Sequence, residues 1–321
     1  MKSKKKLSIR DIASLTGLSV GTISGVLNGR RIHAPETVAK VKTVVRQSGY
    51  SPRKYEGRKT QKSIQQFGFL FPEVAQGKGV ITYLGMELAR GAEEIFARQN
   101  DELIITEMRS GGGIPLCIEK HQIDGLIIRG GDYSEHLEKM LYGIPSVWVM
   151  GNRPHPVDFD SVSMDNLYLG GLAADRLLKE RVEHIFMIHH KDQFNMELGI
   201  RLMACEEALK HKSITYERVI LEDLAYAIAK NKRKSGVFVP GHDAEVLETC
   251  RLLQSKGLGP CTKVPIVCAA TDRDALLKAY HKLIILWINP FALGRAAAQQ
   301  LLWRMMNLSE PSQSILLRPQ H

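Results

Sequence analysis

Residues 7–29 read LSIRDIASLTGLSVGTISGVLNG, and this stretch decides the fold of the amino-terminal part of the chain. Its first half places apolar residues at the spacing of one helical face: Ile9, Ile12, Ala13 and Leu15. Gly17 predicts the end of this helix, and Ser19 can cap a second one that stops at Asn28-Gly29. The second helix has three apolar residues that face back onto the first: Ile23, Val26 and Leu27. Two short helices joined by a tight glycine turn predict a helix-turn-helix.

A third helix supports this pair. Pro35 is suited to its first turn, and an apolar face runs through Val38, Val41, Val44 and Val45 before Gly49. The three helices are sufficient to bury one apolar cluster.

The net charge of +10 is concentrated at the amino terminus. Residues 1–63 carry 15 Lys and Arg against 3 Asp and Glu, whereas the remaining 258 residues carry 29 against 31. A small basic module ahead of a near-neutral body is typical of a nucleic-acid-binding head, because neutralising phosphates requires clustered cations. A solvated basic tail is the alternative interpretation, and the helical pattern within the module argues against it.

In a helix-turn-helix the second helix enters the major groove, while hydroxyls, amides and cations at its edges bind phosphates. Ser19, Thr22 and Asn28 suit phosphate binding, and Ser24 can reach a phosphate or a base. Ser19 and Asn28 also suit helix caps by residue type, and the two roles are compatible.

Residues 7–52 resemble the DNA-binding head of the lactose-repressor (LacI/GalR) family of bacterial transcription regulators. The residues that carry this resemblance are Asp11, Ile12, Ala13, Gly17, Ser19, Thr22, Ser24, Val26, Asn28, Gly49, Tyr50 and Pro52. The resemblance implies base reading at Val20, Gly21 and Gly25, none of which has a side-chain donor or acceptor. The operator is therefore read weakly at these positions, or it is read elsewhere by basic residues and DNA shape. The predicted DNA contacts are Ser8, Ser19, Val20, Gly21, Thr22, Ser24, Gly25, Asn28, Arg30, Arg31, Thr37, Tyr50, Arg53, Lys54, Arg58 and Lys59.

After Pro52 the family has a hinge that forms a helix on DNA and inserts a leucine into the minor groove. Here the segment reads RKYEGRKTQK, with Lys59 at the position of that leucine. Gly57 lowers helix stability by about 1 kcal/mol relative to alanine. We therefore expect phosphate attraction by the clustered cations without an apolar wedge, and a flexible basic linker is the alternative.

Beyond residue 64, apolar runs of strand length alternate with helical patterns. The predicted strands begin at Phe67, Leu103, Gly125, Ser146, His184, Gly236, Pro265 and Leu283. The predicted helices cover 83–99, 168–180, 196–210, 243–256 and 291–306. This alternation predicts parallel sheets covered on both faces, with a ligand cleft beyond the carboxyl ends of the strands.

We therefore predict an α/β fold: an N-terminal three-helix helix-turn-helix head followed by a two-lobed periplasmic-binding-protein-like body of parallel sheets flanked by helices. The predicted domains are the head at 1–51, a basic hinge or linker at 52–63 and an effector-binding and dimerisation domain at 64–321. Its first lobe takes about 64–162 and 290–317, and its second lobe takes about 163–289. The resemblance extends into this body through IDGLII from Ile123, GIPSV from Gly143, RLMACEEAL from Arg201 and NPFALGRAAAQQLL from Asn289.

The resemblance also implies an effector between the lobes. Arg201 occupies the position of a guanidinium that forks onto ligand hydroxyls or a carboxylate, although an ordinary helix-surface arginine is the alternative. Asp272 is the predicted acidic partner, with Asp274 as the alternative register. The other predicted effector contacts are Arg129, His242, Asn152 and Tyr83, while Asp243 contacts the ligand or caps the next helix.

Two departures from the family pattern concern this cleft. Met150 stands where the family commonly has an aspartate that accepts bonds from sugar hydroxyls, and SGGGIP from Ser110 replaces part of an expected helix. They predict a changed ligand or the loss of sugar binding.

Motifs for catalysis and metal binding are missing from the sequence. The glycine runs at 111–113 and 130–131 lack the spacing of a phosphate-binding loop, and no Gly-x-Ser-x-Gly elbow occurs. His189-His190 with Asp192 lacks a spaced third ligand for a metal. Five cysteines at long spacings predict reduced thiols, and no apolar run has the length of a membrane span.

The combined prediction is a cytoplasmic, homodimeric DNA-binding regulator, most simply a repressor, with no enzymatic activity and no cofactor. A sugar-like small molecule between the lobes would modulate its affinity for a double-stranded DNA operator. Two heads are needed because one head covers only a half-site. The alternative is a ligand-independent, low-specificity or architectural DNA-binding protein with a degenerate pocket, whereas the basic head and missing export signal argue against a solute-binding protein.

Overall fold

The computed structural model describes most of the chain. The described residues are 8–28, 34–48, 64–71, 82–108, 113–120, 122–130, 141, 143–151, 159–190 and 196–320.

The head consists of three helices around a small apolar core. They are α1 (Ile9–Thr16), α2 (Val20–Asn28) and α3 (Pro35–Ser48). Ile12, Ile23 and Val41 each come from a different helix and are completely buried. Each helix therefore contributes to one shared cluster, as the apolar spacing predicts.

The first part of the body alternates strands and helices. In chain order it contains β1 (Gln66–Phe71), α4 (Tyr83–Ala97), β2 (Glu102–Glu107), α5 (Leu116–Glu119), β3 (Gly125–Arg129), β4 (Ser146–Val149) and β5 (Asp160–Met164).

The second part continues the alternation. It contains α6 (Asn166–Lys179), β6 (His184–Ile188), α7 (Met196–Leu209), β7 (Thr215–Val219), α8 (Leu221–Lys230), β8 (Ser235–Val239), α9 (Asp243–Ser255), β9 (Ile266–Ala270), α10 (Arg273–Ala279) and β10 (Ile284–Trp287). The chain ends with α11 (Pro290–Met306) and β11 (Ser314–Leu317).

These strands form two separate sheets. The first has the order β11-β5-β4-β3-β1-β2 and the second has the order β10-β9-β8-β6-β7. All pairings within both sheets are parallel. The inner strands other than β5 are mostly apolar without alternation, because helices cover both faces of a parallel sheet. The predicted fold class is confirmed.

The chain passes from the first sheet to the second after β5 and returns to the first after β10. Strands β5, β7 and β11 were not among the predicted strands. The exact domain boundaries stay a prediction, although the strands on either side of them belong to different sheets.

Helices α4 and α11 of the first lobe touch backbone to backbone. A Cβ added at Gly91 would lie 2.1 Å from the backbone oxygen of Phe291, and one at Gly294 would lie 1.9 Å from that of Leu88. Both distances are far shorter than any real contact, so each position requires glycine. The two helices are therefore closely packed.

A buried ion pair joins α11 to the adjacent strands. Arg304 donates from Nε and Nη2 to the two carboxylate oxygens of Asp160 at 2.7 Å each. Asp160 also accepts from the Gln300 side chain at 3.0 Å and from the Gln313 backbone at 2.8 Å. Burial favours the neutral carboxyl, but these donors hold the pKa of Asp160 below its ordinary value.

Among the described helices, none is long and apolar enough to cross a membrane. The five cysteines are free thiols, and Cys205, Cys250 and Cys268 are buried in the core.

Candidate functional site

The start of the head is fixed by a reciprocal cap on α1. The Ser8 side chain accepts from the Asp11 backbone at 3.4 Å, and the Asp11 carboxylate accepts from the Ser8 backbone at 2.7 Å. Gly17 closes the helix in the left-handed region with a φ of 67°. Ser8, a predicted DNA contact, is thus an exposed cap whose hydroxyl already contacts Asp11.

The start of α2 presents the open surface of the helix-turn-helix. Ser19 caps this helix by accepting from the Thr22 backbone at 3.0 Å, and its hydroxyl lies 2.8 Å from the Thr22 hydroxyl. Val20 is 41% exposed and Gly21 is exposed beside it. These two positions are therefore accessible at the surface, and their contact with a DNA groove stays a prediction.

Other predicted DNA contacts are less accessible. Gly25 is buried, so its position does not support contact with a base. Ser24 and Thr37 are half-buried. The remaining predicted contacts lie outside the residues whose side chains are described: Asn28, Arg30, Arg31, Tyr50, Arg53, Lys54, Arg58 and Lys59.

In the body, Arg201 of α7 is held inside the second lobe. Its Nε donates to the Asn166 side chain at 2.7 Å, and its Nη1 donates to the Pro240 backbone oxygen at 2.6 Å. The residue is only 2% exposed. The alternative of an ordinary helix-surface arginine is therefore excluded, and Arg201 ties α6 and α7 to the end of β8.

Arg129 stands at the end of β3 in the first sheet, yet it interacts with the second lobe. Burial lowers the pKa of Arg129, and the charge of Glu197 on α7 opposes this shift. Burial raises the pKa of Glu197, and the charges of Arg201 and Arg129 oppose that shift. Glu197 thus lies within the field of one guanidinium from each lobe, with its Oε2 4.0 Å from Nη2 of Arg201.

His242 follows β8 and faces the same cluster. Its φ of 64° is in the left-handed region, which is unusual for a residue with a side chain. Desolvation and then the neighbouring His190 and Arg201 hold the pKa of His242 below its ordinary value. His190 lies on the other side, with Nε2 2.9 Å from the buried Glu245 carboxylate.

Three acidic residues follow β8 and β9, and they face Tyr83 of the first lobe. Desolvation and then the charge of Asp272 raise the pKa of Tyr83, with smaller effects from Asp274 and Asp243 among others. Asp272 caps α10 by accepting from the Ala275 backbone at 3.1 Å.

Asp243 does not cap its own helix. Its carboxylate accepts from the Thr271 backbone at 2.8 Å, from the Thr271 hydroxyl at 2.5 Å and from the Asp272 backbone at 3.0 Å. The capping alternative for Asp243 is therefore wrong, because the turn after β9 takes up its acceptors.

The structure thus brings predicted effector contacts to facing ends of the two sheets. Arg129, Arg201 and His242 share one electrostatic cluster, while Tyr83 and Asp272 share another. Asn152 lies outside the described residues. A cavity of about 510 Å³ lined by residues of α9 and the loops at 259–262 and 279–282 includes none of these contacts.

Sequence reasoning missed the residues that position Arg201. Glu197 stands four residues earlier on the predicted helix at 196–210, a spacing that pairs charges on one helical face. Asn166 and the Pro240 backbone have no such local signal, since they lie 35 and 39 residues away along the chain. Among the described residues, no group of three or more histidine, cysteine or acidic side chains is arranged to hold a metal ion.

Comparison with known proteins gives a family match for the head and relatives along most of the chain. Residues 8–53 match the model of the bacterial regulatory proteins, lacI family. The sucrose operon repressor of Streptococcus mutans is 27% identical over 244 residues, covering 72% of this chain and 72% of that protein. The HTH-type transcriptional repressor PurR of Proteus mirabilis is 25% identical over 337 residues, covering 97% of this chain and 94% of the relative.

The head thus matches the lacI family model, and the fold of the chain is LacI-like. Solved structures agree with the LacI-like fold. The lac repressor dimer bound to operator and the anti-inducer ONPF has a TM-score of 0.61 at 16% identity, covering 97% of this chain and 96% of that chain. The transcriptional regulator CelR in complex with cellobiose has a TM-score of 0.60 at 19% identity and covers 98% of both chains.

Proposed function

We propose that this chain is a cytoplasmic, homodimeric transcription repressor of the lacI family. Its heads bind the two halves of an operator, and a small molecule between the lobes changes its affinity for that operator. The head carries the proposal, because residues 8–53 match the family model and lie within the segment that holds the excess positive charge. PurR of Proteus mirabilis, a relative along nearly the whole chain, is named as a transcriptional repressor.

The effector part of the proposal is supported by the cluster of Arg129, Glu197, Arg201 and His242. These residues come from both lobes and face one another. A ligand seated among them contacts both lobes and thereby changes their relative position. A coupling of about 1–3 kcal/mol between ligand and operator corresponds to a 5- to 150-fold change in affinity, which is sufficient for regulation.

A second candidate is a DNA-binding protein of low specificity. It is favoured by the absence of hydrogen-bonding side chains at Val20 and Gly21 and by the burial of Gly25. Phosphate attraction alone would then provide the affinity, and sequence would matter little.

Fluorescence anisotropy with labelled duplexes separates the two candidates. The full chain is titrated against DNA from upstream of its own gene and against scrambled DNA of equal length, at several fixed salt concentrations. The repressor predicts at least about 1,000-fold tighter binding to one upstream segment than to scrambled DNA. Equal affinities at every salt concentration contradict it and support the second candidate.

Two variants that each add one negative charge test the predicted surface of α2. Gly21→Glu adds a carboxylate at an exposed position, where the new Cβ meets nothing closer than the Ser19 hydroxyl at 3.7 Å. We expect it to weaken DNA binding by more than about tenfold, because the carboxylate faces phosphates. Gly113→Glu is the control, since it adds the same charge at an exposed position of the body with nothing within 4 Å of the new Cβ. Equal affinities of the two variants would remove α2 from the DNA interface.

A further inference from the structure

Arg129 is a half-buried cation whose Nε is an unused hydrogen-bond donor. Its Nε is inaccessible to solvent and has no hydrogen-bond partner. The backbone at this point is fixed, because Trp148 donates from Nε1 to the Gly130 oxygen at 2.9 Å and Gly130 donates to Val149 at 2.9 Å. An unsatisfied buried donor of a charged group is unfavourable, and the rigid turn prevents Arg129 from relieving it by a backbone shift.

Arg201 differs from Arg129 in this respect. Its guanidinium already donates to Asn166 and to the Pro240 backbone oxygen, and its third nitrogen approaches Glu197. The resemblance to the family directs attention to Arg201 as the ligand-binding guanidinium. In this structure the arginine with free donor capacity is Arg129.

The charges around Arg129 do not balance within the described residues. Among the described residues, Glu197 is the acid whose charge acts on both Arg129 and Arg201. One carboxylate is therefore shared by two guanidinium groups. His242 adds no negative charge. One further anion would balance the excess positive charge of this cluster, because buried charges are stable only when paired.

The hydrogen-bonding character of the cleft leads to the same ligand chemistry. Met150 stands directly after β4 where a carboxylate acceptor for sugar hydroxyls was expected, and it provides no such acceptor. Within the described cluster the donors of Arg129, Arg201 and His242 outnumber the single carboxylate, Glu197, which already lies 4.0 Å from Arg201. A neutral sugar needs both donors and acceptors from its site, whereas a carboxylate or phosphate group needs donors only.

We infer that the effector carries an anionic group, a carboxylate or a phosphate, that binds the Arg129 guanidinium in the cleft between the lobes. This inference rests on the proposed function for the location of the effector, and it adds the chemical class. A sugar acid and a sugar phosphate share the required anionic group, while the corresponding neutral sugar lacks it.

Isothermal titration calorimetry of the full chain tests the inference with matched compounds. The probes are glucose, glucuronate and glucose 6-phosphate, together with ribose and ribose 5-phosphate, at equal ionic strength, with sulfate as the inorganic control. We expect at least one acid or phosphate ester to bind at least about tenfold more tightly than its neutral parent, since its anionic group forms charge-assisted hydrogen bonds with the guanidinium. Binding of a neutral sugar with equal affinity to its anion overturns the inference, and so does failure of every anion to bind.

Variants connect the binding to Arg129. Arg129→Gln removes the charge and is expected to weaken the best anion by at least about tenfold, whereas Arg129→Lys keeps the charge and is expected to lose less. Arg90→Gln is the control, because Arg90 is an exposed arginine of the first lobe that pairs with Glu87. Unchanged anion affinity in Arg129→Gln, with a melting temperature equal to that of the parent, overturns the inference.

The two proposals fail in different experiments. If the operator titration shows specific binding and a neutral sugar shifts operator affinity, the repressor proposal is supported and the anionic-effector inference is contradicted. If the operator titration shows no preference for any upstream segment while anion binding depends on Arg129, the anion site is supported and the repressor proposal is contradicted.

Discussion

Replacing Asp160 by Asn tests the buried ion pair that joins β5, α11 and the chain before β11. The Asp160 carboxylate is completely buried and the Arg304 side chain is 12% exposed. Asp160→Asn keeps the shape but removes the charge, and its new amide group directs a donor toward the donors of Arg304. Removing one partner of a buried pair costs about 3–5 kcal/mol, because the other charge stays buried without compensation.

Urea denaturation followed by circular dichroism measures this loss. The control is Glu207→Gln, which breaks the exposed pair between Glu207 and Lys210 and should change the stability by about 1 kcal/mol or less. The pKa of Asp160 is lowered in the folded protein, so its contribution is present above the ordinary value of 3.8 and is lost as the pH falls below it. The difference between Asp160→Asn and the parent should therefore shrink below about pH 4. A loss of about 1 kcal/mol at pH 7, equal to that of the control, would refute the reasoning.

Further predictions concern a buried carboxyl and two adjacent glycines. Burial raises the pKa of Glu245 from 4.5 to about 7, so the folded state keeps a proton that the unfolded state loses, and stability falls as the pH rises through this range. Glu245→Gln should gain up to about 3 kcal/mol relative to the parent between pH 4 and 8 in denaturant titrations, and a difference that stays constant over this range would contradict the prediction. Gly170→Ala should destabilise by about 1–3 kcal/mol, because the new Cβ would lie 2.2 Å from the Arg201 backbone oxygen. Gly171→Ala has nothing within 4 Å and should stabilise by about 0.5–1 kcal/mol, so equal melting temperatures of the two alanine variants would contradict the packing argument.

The elements that were predictable from the sequence are those with a strong local pattern. The helices of the head and the buried inner strands have apolar residues at regular spacing, and the structure has them where the pattern predicts. The strands that were missed lie at edges or contain polar residues. Strand β7 is an edge strand with mostly exposed residues, and β11 is the other sheet's edge with alternating exposure. Strand β5 begins with a buried Asp160 whose partner Arg304 is 144 residues away.

The candidate effector site was predictable in location rather than in detail. The family resemblance implies Arg129, His242 and Asp272 as contacts, and each of them follows the end of a parallel strand, where residues meet at one edge of a sheet. Their partners depend on tertiary packing. The bonds of Arg201 to Asn166 and the Pro240 backbone, which occupy two donors of the arginine that the family resemblance favours, have no local signal in the sequence. The burial of Gly25 likewise depends on residues beyond its own helix.

The close approach of α4 and α11 at Gly91 and Gly294 has a mechanical consequence. Where two helices touch through their backbones, no deformable layer of side chains separates them. We therefore expect α4 and α11 to move together as one rigid unit. A small rotation of this helix pair about one end produces a larger displacement at its other end. We therefore expect a shift of α4 to be passed directly to α11, since their backbones are in contact at both glycines.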